Sequence, residues 1–155
     1  MKVCKFGGSS LADAGQLTKV IDIVLSDPQR RMVVVSAPGK RNKEDTKVTD
    51  LLIALAKTAL DGKDTTAALA AVVARYAEIA KDLDLGDEIV KTVEDDLKER
   101  LATDKSNAGL FMDCLKAAGE DNNAKVVAEA FKKRGKKVRY ASPKDTGMVL
   151  EGESG

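Results

Sequence analysis

The sequence has no histidine, and its only two cysteines, Cys4 and Cys114, lie far apart. Without an imidazole, neither a Ser-His-Asp triad nor a Cys-His pair can form, which removes both routes of nucleophilic catalysis. The cysteines make no CxxC pair, so no zinc or other protein-held metal site is expected. Two free, partly buried thiols in a reducing compartment are the expectation for them. An excess of one charge is missing too: 26 Lys+Arg stand against 25 Asp+Glu, a formal net charge of +1. That balance gives no electrostatic case for nucleic acid or a membrane surface as partner. No apolar run approaches the roughly 20 residues of a membrane span. The opening residues lack the apolar stretch and small-residue cleavage site of a signal peptide, and the expected compartment is the cytoplasm. Any chemistry falls to carboxylates, lysines, hydroxyls, backbone dipoles or a bound metal-nucleotide.

What is present suits one globular domain, with 43% hydrophobic and 33% charged residues in a chain of 155, enough to bury a proper core. Val3 to Phe6 reads as a short strand ending at Gly7-Gly8, after which Ser9 or Ser10 can cap a helix through Leu11, Leu17, Val20, Ile21 and Val24. Asp27-Pro28 breaks that helix. Met32 to Val35 is a continuous apolar, β-branched run, the pattern of a strand covered on both faces. Ser36-Ala37-Pro38-Gly39 is a turn, and the polar stretch Lys40 to Lys47 reads as a mobile surface loop. Helical spacing follows over Thr49 to Leu60, Thr65 to Leu83 and Glu88 to Leu101. A short helical piece spans Ala108 to Lys116, and a further helix resumes from Asn122 and stops at Gly135. Lys137 to Tyr140 reads as a strand, and Ser142 to Asp145 as a turn.

Strand, glycine turn, helix, strand, turn, helices, strand is the order of an α/β fold with crossover helices. Ligands in such folds collect at the carboxyl ends of strands. Gly7-Gly8, Ser36 to Gly39 and Ser142 to Asp145 all fall at such ends.

Several residues there admit two readings. A phosphate suits the N–H groups after Gly7-Gly8, with Lys5 adding a full positive charge, but the same pattern serves a tight strand-helix turn with a surface lysine. Ser36 and Thr49 could hold a small carboxylate, or be a turn former and a helix cap. Glu120 could accept a substrate ammonium group, or sit at a helix N-terminus for the dipole alone. The basic residues from Lys132 to Arg139 read as a solvated helix end, since little aromatic interleaving accompanies them. The standard nucleotide motifs fail: Gly39-Lys40 is followed by Arg41, and a GxGxxG would need glycine where Ser9 stands.

Taken in order, KFGGSS, VVVSAPGKR, KVTDLL, AAGEDNNAK and RYASPKDTG resemble the amino-terminal half of the catalytic domain of aspartokinases, which are amino acid kinases. The resemblance runs from Met1 to about Leu150, and its specificity lies in the combination, since no single piece would suffice. It implies a three-layer αβα sandwich around a mainly parallel sheet, here incomplete. It implies transfer of the γ-phosphate of MgATP to the β-carboxylate of L-aspartate, at the head of the route to lysine, threonine and methionine. In that role Lys5 contacts the transferring phosphate, and Gly7, Gly8 and Ser9 face the nucleotide phosphates. Ser36, Thr49 and Glu120 match the aspartate-binding positions. Phosphoryl transfer needs positioning and charge neutralisation above all, which suits a site without histidine.

The family's catalytic domain continues into segments that hold adenine and ribose, followed by regulatory ACT domains, and these have no counterpart here. Residues 1–155 are therefore expected to be the N-terminal, substrate-binding part of the kinase domain, inactive on its own. An incomplete parallel sheet leaves an open edge, so a homo-oligomer, self-association through that edge, or disorder of the last residues is expected. Two alternatives stand beside this reading. One is a family member acting on glutamate, acetylglutamate, carbamate or a nucleoside monophosphate, against which Ser36, Thr49 and Gly119-Glu120 favour aspartate. The other is a non-catalytic protein using the half-site to bind a ligand or a second chain.

Overall fold

The computed structural model describes residues 1–147; Met148 to Leu150 and the expected disorder of the chain's end fall outside that range. Two parallel strands, β1 (Lys2–Phe6) and β2 (Arg30–Val35), are joined by helix α1 (Ala14–Leu25). Four helices follow: α2 (Val48–Leu60), α3 (Thr66–Asp82), α4 (Asp87–Leu101) and α5 (Ala108–Lys133). The fold is α/β with an incomplete sheet, as expected. Among the described residues no helix is long and apolar enough to cross a membrane.

Helical spacing dictates which side chains go inside. Leu17, Val20, Ile21 and Val24 bury one face of α1, and Ile89, Val93 and Leu97 one stripe of α4. Helix α5 lies against α2 and α4 and buries Phe111, Leu115, Ala118, Val126 and Phe131 along its length. A polar cluster also fastens α4 to α5. Arg100 binds Asp96 at 2.8 Å and Asp121 at 2.7 Å, while Lys125 reaches Asp96 at 3.1 Å and Asp121 at 3.2 Å. Burial opposes the charge of Asp96, but hydrogen bonds from Arg100, Asn122 and Lys125 outweigh it and hold the carboxyl below its usual range.

Several local expectations are corrected. The cap of α1 is Asp13, which accepts from the Gln16 amide at 2.8 Å, because Gly8–Leu11 forms a 3-10 turn first. Among the described residues, strand β2 is covered on one face only. In the parallel register Val3 pairs with Met32 and Lys5 with Val34, so these four side chains share one face of the pleat. Val3 is 61% exposed, and Met32 and Val34 48% each. Phe6, Val33 and Val35 on the other face join the core.

The two helical pieces expected around Gly119 are one helix, α5. Gly119 does not break it, since its missing side chain is what lets Ala37 and Leu52 pack: a Cβ there would lie 2.7 Å from Ala37 Cβ. Lys40 to Lys47 is a pinned loop. Arg41 pairs with Asp45 and Glu78, and Asp45 also pairs with the buried Arg75. Gly135, at φ +73°, is the left-handed stop expected after α5. Lys137 to Tyr140 is not a strand, because it has no ladder partner among the described residues. The Tyr140 hydroxyl instead donates to Asp121, and Lys125 Nζ lies 5.6 Å from the ring centroid.

Candidate functional site

The four residues Ser36 to Gly39, which leave the carboxyl end of β2, form the hub. One side is backbone from the glycine turn. The Ser36 amide donates to the Phe6 carbonyl at 3.1 Å, and the Gly39 amide to the Gly8 carbonyl at 2.9 Å. A Cβ on Gly8 would sit 2.8 Å from the Ala37 oxygen, and one on Gly39 2.6 Å from the Gly8 carbonyl carbon and 2.8 Å from the Ser9 nitrogen. Only glycine permits either approach. Lys5, at the end of β1, extends its ammonium over Gly7, to 3.9 Å from where a Gly7 Cβ would stand. Lys5 is exposed and makes no ion pair among the described residues.

The other side comes from α5. Glu120 accepts the Ala37 amide through Oε1 at 3.3 Å, and Asn123 donates from Nδ2 to the Ser36 carbonyl at 2.7 Å. Glu120 lies in the middle of α5, so the helix-start reading for it is overturned. It is exposed, and a carboxylate that spends one bond on an amide keeps acceptor capacity for a ligand. Helix α2 closes a third side, where the Val48 amide donates to the Pro38 carbonyl at 3.0 Å. Thr49 is the second residue of α2 and half-buried; Lys47 is the cap position, so Thr49 does not cap.

Lys5, Gly7, Gly8, Ser9, Ser36, Thr49 and Glu120 therefore collect around one loop. Gly8 and Glu120 touch it directly, and Ser36 is part of it. Thr49 is one residue from a contact, while Gly7, Ser9 and Lys5 border the glycine turn. Ser142 to Asp145, expected at a third strand end, follows no strand among the described residues and is closed by bonds between Ser142 and Asp145.

Sequence reasoning missed the residues that hold this assembly from behind. Arg75 of α3 is 5% exposed, and its Nη2 donates to the Ala12 carbonyl at 3.1 Å and the Gly39 carbonyl at 3.0 Å. Its Nη1 pairs with Asp45, whose carboxyl is held well below the usual range, first by the Arg41 side chain and also by Arg75. The next residue, Tyr76, donates its hydroxyl to the Gly119 carbonyl at 2.9 Å. Burial, reinforced by the charge of Glu120, pushes this phenol far up and keeps it a donor. One signal was available: Arg75 falls on a helix face shared with Val72 and Ile79, and a charge at a core position needs a partner.

On the Lys5 side an ammonium with no ion pair among the described residues stands beside Gly7, next to the packed Gly8–Gly39 backbone contact. A separate hollow of about 450 Å³ between α4 and α5, lined by Leu85, Ile89, Thr92, Lys125 and Tyr140 among others, contains none of the site residues.

The fold is an α/β domain in which the glycine turn after β1 and Glu120 of α5 both bond the loop that leaves β2. The amino acid kinase family model matches residues 1–154, and the chain belongs to that family. The chain is 54% identical to aspartokinase 3 of Bacillus subtilis (strain 168) over 155 residues, covering 100% of this chain and 34% of the relative. The aspartate kinase of Clostridium acetobutylicum superposes with a TM-score of 0.74 at 33% identity, over 84% of this chain and 29% of that one. Escherichia coli aspartokinase III, in its complex with aspartate and ADP, gives 0.65 at 27% identity, over 86% and 29%. The chain thus spans about a third of the length of the relatives it matches.

Proposed function

We propose that residues 1–155 are the N-terminal, aspartate-binding part of an aspartate kinase domain, and that the complete enzyme makes 4-phospho-L-aspartate. The observation that carries this is the double engagement of one loop: Gly39 meets the Gly8 cradle while Ala37 meets Glu120. Phosphate-facing and substrate-facing groups are thereby set in fixed register. The E. coli relative, described in complex with aspartate and ADP, supports the same pair of ligands.

When bound, MgATP supplies the γ-phosphoryl group, which passes to a β-carboxylate oxygen of aspartate with release of ADP. Lys5 neutralises charge growing on the phosphoryl oxygens, and Gly7, Gly8 and Ser9 offer backbone and hydroxyl donors to the neighbouring phosphates. Glu120 receives the aspartate ammonium, and the Ser36 and Thr49 hydroxyls orient its carboxylates. Residues 1–155 supply the aspartate-binding groups of that enzyme. The product leads toward lysine, threonine and methionine, and the enzyme works in the cytoplasm. The 155-residue chain self-associates through its open sheet.

The test has two arms. In the full-length kinase, aspartate-dependent ATP consumption should yield an acyl phosphate that hydroxylamine traps as a hydroxamate. Activity with glutamate but not aspartate would reject the substrate. In calorimetry the 155-residue chain should bind aspartate, and Glu120→Gln should abolish the heat.

A further inference from the structure

The neighbours Arg75 and Tyr76 of α3 reach opposite sides of the site. Arg75 faces the glycine side, through Gly39, whose own amide is bonded to Gly8, and through Ala12 beyond the 3-10 turn. Tyr76 faces the carboxylate side, through the carbonyl of Gly119, the residue before Glu120. Both side chains are buried, at 5% and 1% exposure, and neither touches the groups assigned to substrate. We infer that Arg75 and Tyr76 are a pair of positioning residues, a strut in α3 that sets the spacing between the phosphate-facing glycine backbone and the aspartate-facing Glu120. This inference rests on the aspartate kinase reading and adds the device that gives the site its register.

The two arms are chemically distinct. Arg75 offers a planar guanidinium with several donors in fixed directions, and it spends them on two carbonyls from different loops and on Asp45. Lysine keeps the charge but offers one nitrogen in place of the planar fork whose two nitrogens reach these three partners. Displacing Gly39 moves Gly8 with it, so the fault would appear where phosphoryl charge develops. Tyr76 acts on one carbonyl in the middle of α5. Losing its hydroxyl leaves the ring packed and frees only the turn of helix that presents Glu120.

Adjacent residues with the same burial should therefore give opposite kinetic signatures, which a merely structural role would not produce. In the full-length kinase, Arg75→Lys should lower kcat by about a hundredfold, as small misplacements of reacting groups do, with the KM for aspartate little changed. Tyr76→Phe should raise the KM for aspartate by about tenfold, the size of one lost hydrogen bond, with kcat nearly kept. Thermal melts check that both variants are folded. If the two folded variants move the same parameter, or neither moves any, the strut is overturned while wild-type turnover of aspartate leaves the kinase reading intact. If the wild type consumes no ATP with aspartate, the kinase reading itself fails and takes the strut with it. Should Arg75→Lys not fold, Tyr76→Phe decides alone: an unchanged KM overturns the proposal.

Discussion

Gly39 and Gly8 meet backbone to backbone: the amide of one donates to the carbonyl of the other at 2.9 Å, with no room for a methyl group between them. A Cβ on Gly39 would be 2.6 Å from the Gly8 carbonyl carbon and 2.7 Å from its oxygen, and both are backbone atoms that cannot swing aside. Gly39→Ala should therefore cost about 1–3 kcal/mol of stability, the usual penalty of overpacking. Urea denaturation measures it. A variant as stable as the wild type would show that the loops part easily and that the contact does not hold the site.

Gly119 poses the converse test, because alanine is the better helix former by about 1 kcal/mol. Its absent Cβ would lie 2.7 Å from Ala37 Cβ and 3.1 Å from Leu52 Cδ1. Gly119→Ala is expected to destabilise despite the propensity gain, and Ala37→Gly in the same chain to recover part of the loss. A double-mutant cycle with no coupling between the two positions would rule this out.

These contacts mark the limit of what the sequence made legible. The helices could be read from periodicity because each buries one stripe, and Gly135 ended α5 as its φ of +73° requires. The apolar run Met32 to Val35 announced a strand but not its cover: only the register shows that Met32 and Val34 share the outer face with Val3 and Lys5. Glu120 looked like a helix start because Gly119 preceded it, and glycine in a helix interior is ordinarily a break. The tight packing of Ala37 that makes glycine necessary there is tertiary and invisible to local pattern. The core position of Arg75 is legible from the helix face it shares with Val72 and Ile79, but its partners Ala12, Gly39 and Asp45 come from distant segments and are not.

Asp45 predicts an acid response. Its folded-state pKa is depressed below the ordinary 3.8, chiefly by Arg41 and also by Arg75. A depressed carboxylate stabilises the fold above its unfolded pKa, and that stabilisation is lost as pH falls through the folded pKa. The wild type should then lose stability steadily below about pH 4. Asp45→Asn leaves Arg75 buried without its counter-charge, so it should be less stable by about 3 kcal/mol at neutral pH. Its decline in acid should be shallower, and the two curves should converge. Parallel curves from pH 7 down to pH 3 would mean that Asp45 contributes nothing through its charge.

The open sheet makes the last prediction. Val3, Met32 and Val34 form an exposed apolar row on the outer face of a two-stranded sheet whose edges have no neighbouring strand among the described residues. Unpaired edges template pairing with a second chain, and an apolar face beside them adds burial to that contact. The 155-residue chain should therefore show a concentration-dependent sedimentation coefficient. Val34→Thr keeps a β-branched residue in the strand while placing a hydroxyl on the face, so it should weaken association without lowering the melting temperature by more than a few degrees. Met32→Lys sets a second charge near Lys5 and should weaken association further, in a way that added salt partly reverses. A wild-type chain that sediments as a monomer at every concentration would show that neither edge nor face is adhesive.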